Sequence, residues 1–289
     1  SLETPLEMSV TIEVRGDEIA LDFTSPPQVR AGLNVVYTAL LATVYYAVKT
    51  VVDPTVLPNA GLARPITVTA CEGTMLRCAH PAAVDGRITA CQRVVDLIHG
   101  ALAPVVPHRV TAASNGSVAV ASFDGRREDG SLWVYLETIG GGFGARHNKD
   151  GLDGVHVHMT NTSNLPVEAL ENEYPITLRR YELVDGSGGN GQFVGGMGLR
   201  RVYRAEKPCR VQVMGARLTS QPWGLDGGNP GASGYFTLNG ARSGFERASV
   251  DLAPGDILEI VTPGAGGYGD PALRDATSRV RDLREKRFA

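Results

Sequence analysis

Two histidines two residues apart, His156 and His158, stand in the most chemically loaded stretch of this chain, Glu137 to Pro175 (ETIGGGFGARHNKDGLDGVHVHMTNTSNLPVEALENEYP). With His147, half of the six histidines in 289 residues fall there. The run Gly154-Val155-His156-Val157-His158-Met159 alternates as a strand does, which predicts both imidazoles on one face and Val155, Val157 and Met159 on the other. Imidazole titrates near neutrality, so the pair could move protons to and from a substrate. It could equally supply two ligands to a metal, but two ligands do not make a site, and a third would have to come from Asp150, Asp153 or Glu168. A hydrogen-bonded pair lining a polar interface is the third reading, and spacing alone does not choose among them.

The elements that must position these groups can be read on either side. Trp133-Val134-Tyr135-Leu136 is aromatic and branched, as a buried strand is. It runs into Gly140-Gly141-Gly142-Phe143-Gly144, where the backbone is free to take φ > 0 and to approach another group closely. Such a loop is a turn, a place where a substrate or partner comes close, or a set of N–H groups that holds an anion. No Gly-Lys-Ser/Thr follows, so it is not a phosphate-binding P-loop, and no helical period opens after it, so a dinucleotide fingerprint fails too. Downstream, Asn161 and Asn164 offer amide donors. Pro166 opens a short helix whose Glu168 and Glu171 suit its positive end, with Asn164 as the expected N-cap. The expected catalytic set is therefore His156, His158, Asn161, Asn164 and Glu168. The expected substrate contacts are Gly141, Gly142, Gly144, Arg146, Asp150 and Asp153, and no metal ligands are assigned.

The rest of the chain reads as scaffold. It is 43% hydrophobic and 20% charged with a net charge of −3, which gives no electrostatic reason to bind nucleic acid or an anionic membrane. Cys71, Cys78, Cys91 and Cys209 have no CxxC spacing and read as the reduced thiols of a cytoplasmic protein. The longest apolar run, Leu33 to Val52, contains Asn34, Tyr45, Tyr46 and Lys49, so it reads as a buried or amphipathic helix rather than a membrane span. Met8 to Phe23 is a hairpin around Gly16-Asp17, which must join a larger sheet to be stable. Ile66–Ala70 is a strand, and Thr89 to Leu102 is a second helix with His99 packed at the edge of its apolar face. Val118–Phe123 pairs with the strand at Trp133. After Pro175, strands at 177–183, 200–204, 211–214, 235–238, 249–252 and 256–261 alternate with glycine-rich corners, and a charged helix follows from Ala276. These elements predict an α+β fold, strand-rich with a few long helices and a β-rich C-terminal region. The expected regions are 1–175, 176–273 and 274–289.

The string DGVHVHMTNTSNLPVEALENEYP, preceded by GGGFGA, resembles the hydantoinase B / oxoprolinase family. The segments DFTSPPQVRAGLNV, GSGGNGQFVGGMGL, PWGLDGGNPGA and TPGAGGYGDP are similar to it in the same order, so the resemblance covers nearly the whole chain. It implies a subunit of an ATP-dependent cyclic-amide hydrolase of the N-methylhydantoinase or 5-oxoprolinase kind. In that chemistry a hydantoinase A-like, ATP-binding subunit phosphorylates the amide oxygen, and the B side opens the activated ring. The resemblance equally admits a subunit of an acetone- or acetophenone-type carboxylase, or a non-catalytic assembly subunit. The metal sites of the family fall in an N-terminal region that this sequence lacks. The resemblance therefore implies a further chain supplying that half, with any divalent metal held outside these residues. Ala265 stands where the family carries glycine.

Overall fold

The alternation of the first residues resolves as expected. In a computed structural model, which describes residues 5–116, 118–215, 217–242 and 247–287, β1 (Ser9–Arg15) and β2 (Glu18–Thr24) pair antiparallel around Gly16, at φ 61°. Leu21 and Phe23 fall on the buried face. Helix α1 (Tyr37–Val52) and the single-turn α2 (Ala60–Ala63) follow, and β3 (Ile66–Ala70) then adds parallel to β2, giving the sheet order β1-β2-β3. Helix α1 begins at Tyr37 rather than Leu33 because the fully buried Asn34 amide bonds the backbone of Val29 and Ala83 and holds its neighbours in a loop. Helix α3 (Arg87–Leu102) packs on α1 and buries Val94, Val95 and Ile98. His99 is buried, 3.2 Å from Thr50 Oγ1 and 3.3 Å from Thr111 Oγ1, so it is packed and hydrogen-bonded as its place on the helix predicts.

The remaining strands form two antiparallel sheets. β4 (Ala119–Arg126) and β5 (Leu132–Ile139) make a hairpin, followed by helix α4 (Val167–Glu173) and the strands β6 (Ile176–Leu183), β7 (Leu199–Ala205) and β8 (Cys209–Met214). β9 (Tyr235–Leu238), β10 (Ala241–Arg242), β11 (Arg247–Leu252) and β12 (Ile257–Val261) complete them, before helix α5 (Ala276–Arg284). The sheet orders are β11-β8-β4-β5 and β10-β9-β12-β7-β6. Their inner faces share one core, in which the Phe123 ring lies 5.2 Å from that of Tyr203. Strand parity decides which side chains enter it: Trp133 and Tyr135 are buried, whereas Val134 and Leu136 are 62% and 60% exposed.

Between these sheets and α5 the glycine-rich segments do not dangle as corners. They run side by side as extended chain and hydrogen-bond to one another outside any named strand. Gly142 N donates to Pro263 O (3.1 Å), Ala145 N to Gly266 O (3.0 Å), Gly196 N to Phe143 O (3.1 Å) and Ala265 N to Gly196 O (3.0 Å). A Cβ on Gly142 would overlap the Gly196 carbonyl oxygen, and one on Gly196 would overlap that of Leu152. Neither glycine has a left-handed φ, so what they contribute is room rather than an unusual conformation. The packing follows the logic of the collagen axis, where only glycine fits between adjacent backbones.

The chain divides into two compact units, Ser1–Thr111 and Ala112–Ala289. The compositional change at Pro175 is not where they divide, because β4, β5 and α4 share a core with the later strands; the Trp133 and Tyr174 rings are 5.7 Å apart. The tail also belongs to the second unit, although its last residues, 288–289, lie outside the described ones. With five α-helices and twelve strands among the described residues, the fold is α+β and strand-rich. No described helix is long and apolar enough to cross a membrane. Gly142→Ala is expected to lower unfolding stability by at least about 3 kcal/mol through overpacking. Gly240→Ala, in an open turn at φ 81°, should cost about 1–2 kcal/mol. Equal urea midpoints for the two variants would refute the glycine-bundle account.

Candidate functional site

The alternating segment 154–159 does not become a strand. Gly154, at φ 58°, turns the chain into one two-way bridge between Val155 and Gly141, with N–H···O distances of 2.8 and 2.9 Å. His158 then takes φ 49°, a left-handed conformation that histidine tolerates better than most side chains. The two imidazoles have different neighbours. His158 lies against the Phe143 ring, centroids 5.8 Å apart, and the Arg146 guanidinium sits 5.8 Å from the same ring. His156 Nε2 lies 2.9 Å from Thr162 Oγ1, which is 2.5 Å from Thr138 Oγ1 on β5.

The amides and the helix also differ from expectation. Helix α4 is N-capped by Pro166 without a side-chain hydrogen bond. Asn164 instead donates its amide to the Tyr181 hydroxyl on β6, so the helix starts on proline's preset φ alone. Asn161 and Glu168 are exposed beside it. Glu171 accepts from Leu178 N at 3.0 Å and ties α4 to β6.

The expected substrate cradle is largely engaged within the chain. Gly141 N donates to Val155 O, Gly142 N to Pro263 O, and Gly144 N to Ser114 Oγ. These N–H groups hold the bundle together. Asp150 receives both Nη atoms of Arg274 at 2.8 and 3.0 Å, Arg281 at 2.6 Å and Val194 N at 2.9 Å. Asp153 receives Arg287 at 2.5 and 3.1 Å and Met197 N at 2.8 Å. Both carboxylates thus clamp the C-terminal segment; the signal for this was the arginine-rich tail, which needed acidic partners. Arg146 remains half-buried, with its Nε buried and without a hydrogen-bond partner.

Under the site lies a buried ion pair that parity in the sequence could have revealed. Glu137 shares the inward face of β5 with Trp133 and Tyr135, and Arg201 shares that of β7 with Leu199 and Tyr203. A charged residue at a core-facing position needs a partner. The two side chains are 6% and 2% exposed and bonded to each other through Arg201 Nη1 and Glu137 Oε2. The same oxygen accepts from the hydroxyls of Tyr135 and Tyr203. Burial opposes the Arg201 charge, yet Tyr203 and Glu137 raise its pKa above the ordinary value. Burial, with the Glu137 hydrogen bond, likewise raises Tyr135.

His156 feels this pair. Burial lowers its pKa first, Arg201 lowers it further, and Glu137 and the Thr138 backbone pull it back up, leaving it below the ordinary value and neutral at pH 7. A neutral imidazole beside a hydroxyl is the arrangement a general base requires. Among the described residues no three His, Cys, Asp or Glu side chains gather in a group that could hold a metal ion, so the two histidines acquire no third ligand here.

Two expectations follow from these charges. With its folded pKa lowered, His156 binds fewer protons folded than unfolded. Stability should therefore fall as pH drops below about 6.5, and His156→Phe should flatten that limb of the curve. Burial alone would raise Asp150, but Arg274 and the Val194 N–H outweigh it and lower its pKa. Its contribution is therefore complete above about pH 4 and lost as pH falls through the lowered value. Asp150→Asn should cost about 3 kcal/mol by leaving Arg274 under-paired. Amide hydrogen exchange in α5 would show it, and wild-type protection there would contradict the clamp.

Residues 2–271 match the model of the hydantoinase B/oxoprolinase family. An uncharacterized protein of Methanocaldococcus jannaschii is 40% identical, over 98% of this chain and 50% of its own. The 5-oxoprolinase 1 of Arabidopsis thaliana is 33% identical, over 91% of this chain and 20% of its own. The crystal structure of the ATP-dependent caprolactamase from Pseudomonas jessenii superposes with a TM-score of 0.86 at 26% identity, over 96% of this chain and 51% of that one. The chain thus spans about half the length of the archaeal relative and a smaller part of the plant one. The order of its motifs, its α+β fold and these matches along nearly its whole length agree: the chain belongs to the hydantoinase B/oxoprolinase family.

Proposed function

We propose that this chain is part of the ring-opening subunit of an ATP-dependent cyclic-amide hydrolase of the hydantoinase and oxoprolinase kind. The observation that carries this reading is its correspondence, over nearly its full length, to the ATP-dependent caprolactamase. It works with a hydantoinase A-like subunit that binds ATP. The four free cysteines support a cytoplasmic location, where thiols stay reduced.

An amide resists water because resonance protects its carbonyl carbon and its oxygen leaves poorly. ATP, held by the partner, supplies the activation of that oxygen. This chain supplies the proton handling. His156, neutral near pH 7, takes a proton from the attacking water through the Thr162 hydroxyl and returns it to the departing ring nitrogen. Asn161 and Asn164 donate hydrogen bonds to the oxygen as negative charge develops, with Asn164 aimed by Tyr181. Glu168, exposed at the start of α4, and His158, against Phe143, line the approach. Arg146, whose Nε is buried without a hydrogen-bond partner among the described residues, meets the substrate's polar edge. Any divalent metal of the complex takes its ligands from outside these residues.

In the reconstituted complex, His156→Ala should lower kcat for ATP-dependent hydrolysis of 5-oxoproline, hydantoin or caprolactam by roughly 10²- to 10⁴-fold with assembly intact. Unchanged turnover would remove His156 from the mechanism. If ATP hydrolysis instead requires bicarbonate and a ketone, the chain belongs to a carboxylase.

A further inference from the structure

We infer that the buried Glu137–Arg201 pair is the positioning element of this site, fixing His156 and Asn164 relative to each other from beneath. The inference rests on the reading of His156 as the base. Its starting point is where the pair sits. Glu137 is on β5 and Arg201 on β7, so the bond crosses from one sheet of the second unit to the other. The core around it is aromatic and aliphatic, and a well-packed apolar substitute generally holds such a fold as firmly as a buried ion pair does. The pair is moreover incompletely satisfied, since Glu137 Oε1 and Arg201 Nε are buried without hydrogen-bond partners. Cohesion of the sheets therefore does not account for it.

Its contacts outward do. Thr138 directly follows Glu137, and its hydroxyl meets Thr162, which meets His156 Nε2. On the other side the Arg201 guanidinium lies 4.2 Å from the centre of the Tyr181 ring, and the Tyr181 hydroxyl accepts from Asn164. The two routes leave one ion pair and arrive on one segment, residues 156–166, which contains no helix or strand. A segment without its own backbone ladder keeps its side chains in register through such pins, and misplacement of a catalytic group by about 1 Å can cost 10²-fold in rate. The charged groups that act on His156 are Arg201 and Glu137 themselves, so the pair also sets the balance of charge at the imidazole.

The test replaces both charges at once, Glu137→Met with Arg201→Met, which leaves no unpaired buried ion. Two readouts are taken in the assembled complex: steady-state rates with 5-oxoproline, hydantoin or caprolactam and ATP, and the His156 ring titration by NMR. The expected result is a kcat lower by roughly 10- to 100-fold with KM within about twofold, together with a small upward move of the His156 titration, because the Arg201 effect that is lost outweighs the opposing Glu137 effect lost with it. Tyr181→Phe, which keeps the ring beneath Asn164 but not its hydroxyl, should lower kcat while leaving the titration in place. A folded double variant with wild-type kcat and an unmoved titration overturns the inference. Should the double variant not fold, Tyr181→Leu removes the ring at a position 43% exposed, and wild-type kcat there also overturns it. If the unaltered complex opens no cyclic amide, the reading of function fails. Positioning is then decided by geometry: loss of the His156 Nε2–Thr162 hydrogen bond in the NMR spectra of the double variant sustains it, and its retention ends it.

Discussion

The second unit depends on how closely its backbone approaches itself. Where Gly142, Gly196 and the segment around Ala265 meet, successive chain passes lie at hydrogen-bonding distance with no side chain between them. Extended chain normally satisfies its N–H and C=O groups by joining a sheet, and here it satisfies them in a bundle of single passes. Such a bundle cannot tolerate a methyl group, and in return it has little freedom to bend. The Val155–Gly141 bridge joins this rigid body to the segment that carries His156. The glycines therefore serve the site mechanically: they anchor the start of a segment that has no secondary structure of its own.

Charge is distributed by the same rule of close matching. Asp150 and Asp153 look from sequence like groups awaiting a substrate, yet each is surrounded by arginines of the tail and by a backbone N–H. Glu137 is matched to Arg201. Outside these pairings, the half-buried or exposed polar groups of this region include His156 with its threonines, Asn161, Asn164, Glu168 and Arg146. Burial keeps the imidazole neutral, and the ion pair beneath it sets how neutral. The inward carboxylates hold the frame while the amides of Asn161 and Asn164 stay at the surface, a division that local spacing does not disclose.

Most of the framework was legible because its causes are local. Alternation placed β3 at Ile66–Ala70 and the later strands within one or two residues, and the apolar period of α3 set its buried face. Three readings went astray for nonlocal reasons. The 154–159 alternation was real, but Gly154 and His158 adopt positive φ and break the strand after one bridge. Asn164 found a better partner in Tyr181, seventeen residues away, than in the helix start. Glu137 passed unnoticed because its partner, Arg201, lies sixty-four positions away on another sheet.

The amino-acid sequence by itself determined the family, the order of the elements and the faces they bury, since these follow from composition, period and motif order along the chain. Only the tertiary structure decided which polar residues are free to meet a ligand. That choice depends on which charged and hydrogen-bonding groups meet across the fold. A carboxylate that finds an arginine there becomes part of the frame, and an imidazole set against a hydroxyl and a backbone group is kept neutral by burial and stays outside those ion pairs.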